Sequence, residues 1–91
     1  MRENVIERYL VDRANARGGE VRKVRWLGRR GAPDRLVMLP PDVTLWVELK
    51  APGEKPRPHQ VREHERMRRM GQHVVVVDSL DSVDALLGRG A

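Results

Sequence analysis

Leu36-Val37-Met38-Leu39-Pro40-Pro41-Asp42-Val43-Thr44-Leu45-Trp46-Val47-Glu48-Leu49-Lys50 reads as two strands around a proline turn. Residues 36–39 and 43–47 form the apolar arms, and Pro40-Pro41-Asp42 interrupts them. Centring an antiparallel hairpin on Pro41 sets Leu39 opposite Val43, Val37 opposite Leu45 and, by continuation, Asp34 opposite Glu48. Residues two apart on a strand share a face, so Glu48 and Lys50 point together and Leu49 points away. Apolar neighbours on both sides of Glu48 predict a strand buried on both faces. A carboxylate in that setting needs a cation or a metal beside it. Two readings follow from the spacing. Asp34 and Glu48 share a divalent cation, or Asp34 is a turn residue after Pro33 and Glu48–Lys50 is a solvated edge pair.

Before the hairpin, residues 3–17 predict a helix with Ile6, Leu10 and Ala14 on one stripe and Tyr9 beside them. Gly18-Gly19 ends it. Glu3 and Glu7 flank the stripe. Glu7 has a local explanation as the fourth residue of a capping box begun by Asn4. Residues 20–26 predict a strand, with Val21, Val24 and Trp26 set against Arg22, Lys23 and Arg25. Residues 27–33 are a glycine-rich turn carrying Arg29 and Arg30. The turn does not match the phosphate-cradling pattern GxxxxGK[ST], which argues against a nucleotide cofactor.

After the hairpin, residues 51–58 are rich in Pro and Gly and read as a loop. A second helix is expected over residues 58–70, with Gln60, His64, Met67 and Gly71 along one side and charged residues, Glu63 among them, covering the rest. His64 is expected packed and His59 exposed; without a third histidine or any cysteine nearby, a histidine metal site is disfavoured. Residues 73–77 read as the most buried strand. Residues 78–87 read as a short helix capped by Ser79 or Asp81. The order α-β-β-β-α-β-α, with a β-α-β step over residues 43–77, predicts a last strand parallel to the third. The fold class is α/β (α+β) with a mixed four-stranded sheet flanked by helices.

The whole chain of 91 residues is expected to form one domain with a modest core. It has net charge +5, rich in arginine, whose planar fork suits phosphate contacts, so nucleic acid is the expected partner. Absence of cysteine removes thiolate zinc sites and cysteine nucleophiles. No apolar run reaches membrane-span length and no signal-peptide core opens the chain, so a cytoplasmic protein without membrane contact is expected. Three aromatic residues are too few for a base-stacking platform.

Glu7, Gly31-Ala32-Pro33-Asp34, Glu48-Leu49-Lys50 and Gln60, in that order, resemble the VRR-NUC domain of the PD-(D/E)XK nuclease superfamily, in its small stand-alone phage and bacterial form. The resemblance runs from the first helix to Val77. It implies a restriction-endonuclease-like core and a Mg²⁺- or Mn²⁺-dependent DNA phosphodiesterase that favours branched DNA such as four-way junctions. A phage-encoded chain would act in the host cytoplasm. The resemblance gives Asp34, Glu48 and the Leu49 carbonyl as cation ligands, Glu7 as the helix-one acid that completes the site (Glu3 if the helix is shifted by a turn), Lys50 as the catalytic amine and Gln60 as the orienting amide. It further implies a homodimer, since one small domain makes one cut and a junction needs two. Arg22, Arg25, Arg29 and Arg30 are the expected phosphate contacts, ahead of Arg89 near the end of the chain. The competing readings are a basic DNA-binding module without catalysis, a monomeric flap or nick nuclease, and restriction-type sequence-specific cleavage.

Overall fold

A computed structural model describes residues 1–88; Arg89 lies outside the described residues. The elements are α1 (Glu3–Ala16), β1 (Glu20–Lys23), β2 (Arg35–Leu39), β3 (Val43–Leu49), α2 (Pro58–Arg69), β4 (Val74–Val77) and α3 (Leu80–Leu87). The sheet runs β1-β2-β3-β4 in space. The first three strands are antiparallel neighbours and β4 lies parallel to β3. This is the expected mixed sheet in the expected order.

The alternation of side chains sorts the layers. Val37, Leu39, Val47, Leu49 and Val77 point to one face, where Ile6, Leu10 and Ala14 of α1 and Val83 and Leu87 of α3 complete the core. The residues between them, Glu48 above all, point to the other face, against α2. The arrangement is therefore three layers: α1 and α3, the sheet, then α2. Burial of this apolar cluster is the main stabilising contribution in a chain of this size. No helix among the described residues is long and apolar enough to cross a membrane.

The hairpin register follows the proline count: Leu39 pairs with Val43 and Val37 with Leu45. The last ladder pair is Arg35 with Val47, so Asp34 stands one residue beyond the ladder, at the position that continues its register opposite Glu48. Several boundaries differ from expectation for identifiable reasons. The strand expected over residues 20–26 ends at Lys23; the Val24 N–H makes one last bond in the same register, to the Asp34 carbonyl at 3.0 Å, before the chain turns into the loop. Trp26 leaves the strand and packs on Trp46, ring centroids 5.6 Å apart at 60°. Val21 packs against the core. The N-cap position of α1 is Arg2, which makes no side-chain cap, not Asn4, and Glu7 falls past the first turn, which removes the capping-box role. β4 is an edge strand, so Val75 and Val76 are half-exposed while Val74 and Val77 are buried. Ser79 caps α3 through a reciprocal pair with Ser82.

Candidate active site

Asp34 is delivered by a loop that α2 clamps in place. Gly31 has φ 95°, and a Cβ there would meet the Glu63 Cβ and the His59 carbonyl at 2.8 Å each, so only glycine lets the loop lie this close to α2. Pro33 is fully buried next to it. Glu63, 4% exposed, accepts from Trp26 Nε1 at 2.7 Å and from Arg66 Nε at 3.0 Å, and Arg29 Nη2 lies 3.2 Å away. Burial alone would raise the Glu63 carboxyl; the hydrogen bonds from Arg66 and Trp26, with the charge of Arg29, outweigh it and hold the group below its ordinary value. This paired anion ties the loop of residues 24–33 to the middle of α2. Glu63 was expected on the exposed surface and is instead buried, because the loop folds over it.

At the far end of that loop Asp34 Oδ1 accepts the Leu49 N–H at 3.0 Å, which fixes the carboxylate against the end of β3 and leaves Oδ2 unused by this contact. Asp34, Glu48 and Lys50 then share the α2 side of the sheet, by the same parity that separates Leu49 from them. Glu48 is 2% exposed. Its Oε2 accepts from Gln60 Nε2 at 3.1 Å and lies 3.6 Å from Lys50 Nζ. Gln60 is itself oriented: its Oε1 accepts the Arg57 N–H at 2.8 Å, so its amide NH₂ must face Glu48. A glutamate at position 60 could take the same N–H but could not donate to Glu48. Burial, then the charge of Asp34, push the Glu48 carboxyl up to about 7 despite Lys50.

The remaining candidates lie further out. Glu7 projects from α1 on the opposite layer and is held by Arg35, whose Nε donates to Glu7 Oε2 at 2.6 Å and whose Nη1 donates to the Asp34 carbonyl at 2.8 Å. Arg35 therefore joins the helix-one acid to the Asp34 backbone, a role the sequence reading missed. Glu3 is exposed at the start of α1, and its charge reaches Glu48. Of the four arginines, Arg22 pairs with Glu20 on the exposed edge, Arg25 is exposed, Arg29 leans on Glu63, and Arg30 Nη2 lies 3.4 Å from His59 Nδ1. His59, expected exposed, is half-buried. Desolvation and the charges of Arg30, Arg62, Arg57 and Lys50 hold its imidazole below the ordinary value, which marks a cationic rim at the head of α2 beside Gln60.

The donor set suits a hard divalent cation. Two carboxylates face each other across the end of β2 and β3, and Glu48 Oε1 is buried with no hydrogen-bond donor. Among the described residues no group of three His, Cys, Asp or Glu side chains gathers as a cage. Two carboxylates completed by a backbone carbonyl, water and a substrate oxygen is the pattern that Mg²⁺ favours over zinc.

No protein-family model matches the chain. A curated protein of Acyrthosiphon pisum secondary endosymbiont phage 1, named "Putative nuclease p44", is 51% identical over 81 residues, 89% of this chain and 87% of that protein. A solved structure described as a VRR_NUC domain is 47% identical and superposes with a TM-score of 0.87, covering 98% of this chain and 97% of that one. Identity at this level over nearly the full length of both chains, on the same fold, carries family membership with it: the chain belongs to the VRR-NUC family of the PD-(D/E)XK nuclease superfamily.

Proposed function

We propose that this nuclease is a Mg²⁺- or Mn²⁺-dependent DNA endonuclease that is selective for branched DNA such as four-way junctions. One observation carries the reading: Asp34, Glu48, Lys50 and Gln60 converge at one end of the sheet around the buried Glu48 carboxylate. Asp34, Glu48 and the Leu49 carbonyl would hold the cation. When bound, the cation supplies Lewis acidity toward the scissile phosphate and toward water. Lys50 orients the attacking water and balances the charge that grows on the phosphoryl oxygens as the leaving oxygen departs. Gln60 keeps Glu48 in place. Glu7 acts at one remove, through the Arg35 bridge to Asp34, rather than as a direct ligand.

The DNA backbone is bound by the rim at the head of α2, formed by Arg30, Arg57 and Arg62, with Arg25 and Arg29 on the adjoining loop. Arg22, paired with Glu20 on the far edge of β1, contributes least. A homodimer supplies the two sites that a junction requires. The open edge of β4, with Val75, Val76 and Leu86, is the apolar surface that supports it. The decisive assay compares cleavage of four-way, flap, nicked and plain duplex DNA with and without Mg²⁺, alongside light scattering at micromolar protein. Mg²⁺-dependent paired cuts on the four-way junction by a species of twice the chain mass are expected. Equal cleavage of all four substrates removes the branched-DNA selectivity, and a monomeric mass on junction DNA removes the paired-cut mechanism. No cleavage of any substrate removes the catalytic reading and leaves a DNA-binding module.

A further inference from the structure

Two buried side-chain polar atoms lack a hydrogen-bond partner among the described residues, and they face each other: His64 Nε2 and Glu48 Oε1, 3.7 Å apart. His64 is 1% exposed and projects from the same face of α2 as Met67, where an apolar side chain would satisfy packing. A histidine there takes a polar nitrogen out of water, which is unfavourable unless a partner meets it. Gln60 stands one turn earlier on the helix, and residues four apart lie on one face. Gln60 already donates to the other oxygen of the same carboxylate at 3.1 Å. The helix thus aims two nitrogens, one turn apart, at the two oxygens of one residue. The gap at His64 is too long for a hydrogen bond and closes with a movement of less than about 1 Å.

We propose that His64 is a positioning residue for Glu48: its Nε2–H closes onto Oε1, so that α2 grips both carboxylate oxygens and fixes the plane in which Glu48 meets its cation. The cation part rests on the function proposed above; the grip itself does not. A neutral imidazole carries a single N–H. The grip requires that proton on Nε2, because the other tautomer sets a nitrogen lone pair against a carboxylate oxygen. It also explains the division of labour on Glu48. Gln60 and Lys50 meet Oε2, and His64 faces the buried Oε1.

Two measurements test this on the full chain. Nitrogen-15 NMR of the wild-type histidines at pH 8.5 without metal, where Glu48 is ionised, should show His64 as the Nε2–H tautomer, with a resonance that moves in Glu48→Gln. An Nδ1–H tautomer, or a resonance indifferent to Glu48, overturns the grip whether or not the protein cleaves DNA. Mn²⁺ affinity, read by electron paramagnetic resonance, should fall about 10- to 100-fold in His64→Leu, the range for loss of a partner that orients a ligand. His64→Gln, whose amide nitrogen reaches as far as the imidazole Nε2, should recover most of it. In cleavage, kcat should follow the same order while KM for DNA stays unchanged. Wild-type Mn²⁺ affinity in His64→Leu overturns the positioning role. If the wild type itself binds no Mn²⁺, the cation reading of Glu48 and the positioning role built on it both fall, and the tautomer result still decides the grip.

Discussion

Replacing Glu48 by glutamine removes a buried charge at nearly constant shape, and the structure sets the size and sign of the result. The carboxyl is 2% exposed, its nearest cation is Lys50 at 3.6 Å, and its value is pushed from the ordinary 4.5 to about 7. Below pH 4.5 the group is protonated whether the chain is folded or not, and its burial costs no charge. Between 4.5 and about 7 the folded protein holds a proton that the unfolded chain has released, so stability falls as pH rises. Above about 7 both states are ionised and the full cost is present. At about 1.4 kcal/mol for each factor of ten in proton affinity, that cost is about 3 kcal/mol. Glu48→Gln should therefore be more stable than wild type at pH 8 by up to about 3 kcal/mol, and within about 0.5 kcal/mol of it at pH 4.5. Its amide oxygen accepts from Gln60 as the carboxylate did.

Urea unfolding in EDTA at the two pH values reads this directly. For a domain of this size the gain at pH 8 is about 2 M in the midpoint, at unchanged slope. The same stability gap at both pH values, or a Glu48→Gln variant less stable than wild type at pH 8, would refute the claim that Glu48 is a strained buried carboxylate. Replacing EDTA by millimolar Mn²⁺ at pH 8 should raise the wild-type midpoint and leave that of the variant in place, because a ligand that binds only the folded state stabilises it by mass action.

Asp34→Ala and Lys50→Ala should each abolish Mg²⁺-dependent cleavage, with circular dichroism unchanged; wild-type turnover in either removes that residue from the reaction. Gly31→Ala should cost more than about 2 kcal/mol in urea unfolding, because it adds left-handed strain to a close approach to Glu63 and His59. A near-neutral result would show that the loop can lift away from α2 freely. Joint replacement of Arg30, Arg57 and Arg62 by glutamine should weaken DNA binding and reduce the salt slope by about 3, whereas Arg22→Gln should change neither; an unaltered slope in the triple variant would move the DNA surface elsewhere.

The hairpin was legible because two prolines mark the turn and apolar residues on either side set the count, so pairing followed from arithmetic on Leu39–Val43 and Val37–Leu45. The shared face of Glu48 and Lys50 was legible from the period of two. The loop of residues 24–33 was not, since no period governs a turn whose shape is set by what it rests on. The place of Trp26 depends on Trp46 and Glu63, which are 20 and 37 residues away. Arg35 escaped notice for a related reason. Its partner Glu7 comes from a helix on the opposite layer, so only the packed fold brings them together.

Along α2 the helical period marked a face, and the composition of that face carried the chemistry. Glu63, His64 and Met67 are the buried residues of α2, and Gln60 precedes them by one turn. Only Met67 of these four is apolar. A hydrophobic reading therefore sees a weak stripe and assigns Glu63 to solvent. A stripe of polar residues at core spacing has a different physical meaning: each must find a partner across the interface, or its burial destabilises the fold. Glu63 meets Trp26, Arg66 and Arg29; Gln60 meets Glu48; His64 faces the remaining oxygen of Glu48. The first set of contacts holds the loop that carries Asp34, and the other two hold the carboxylate opposite it. One helix face thus braces both acids of the site, and for that reason substitutions on it should alter chemistry at positions that never touch DNA.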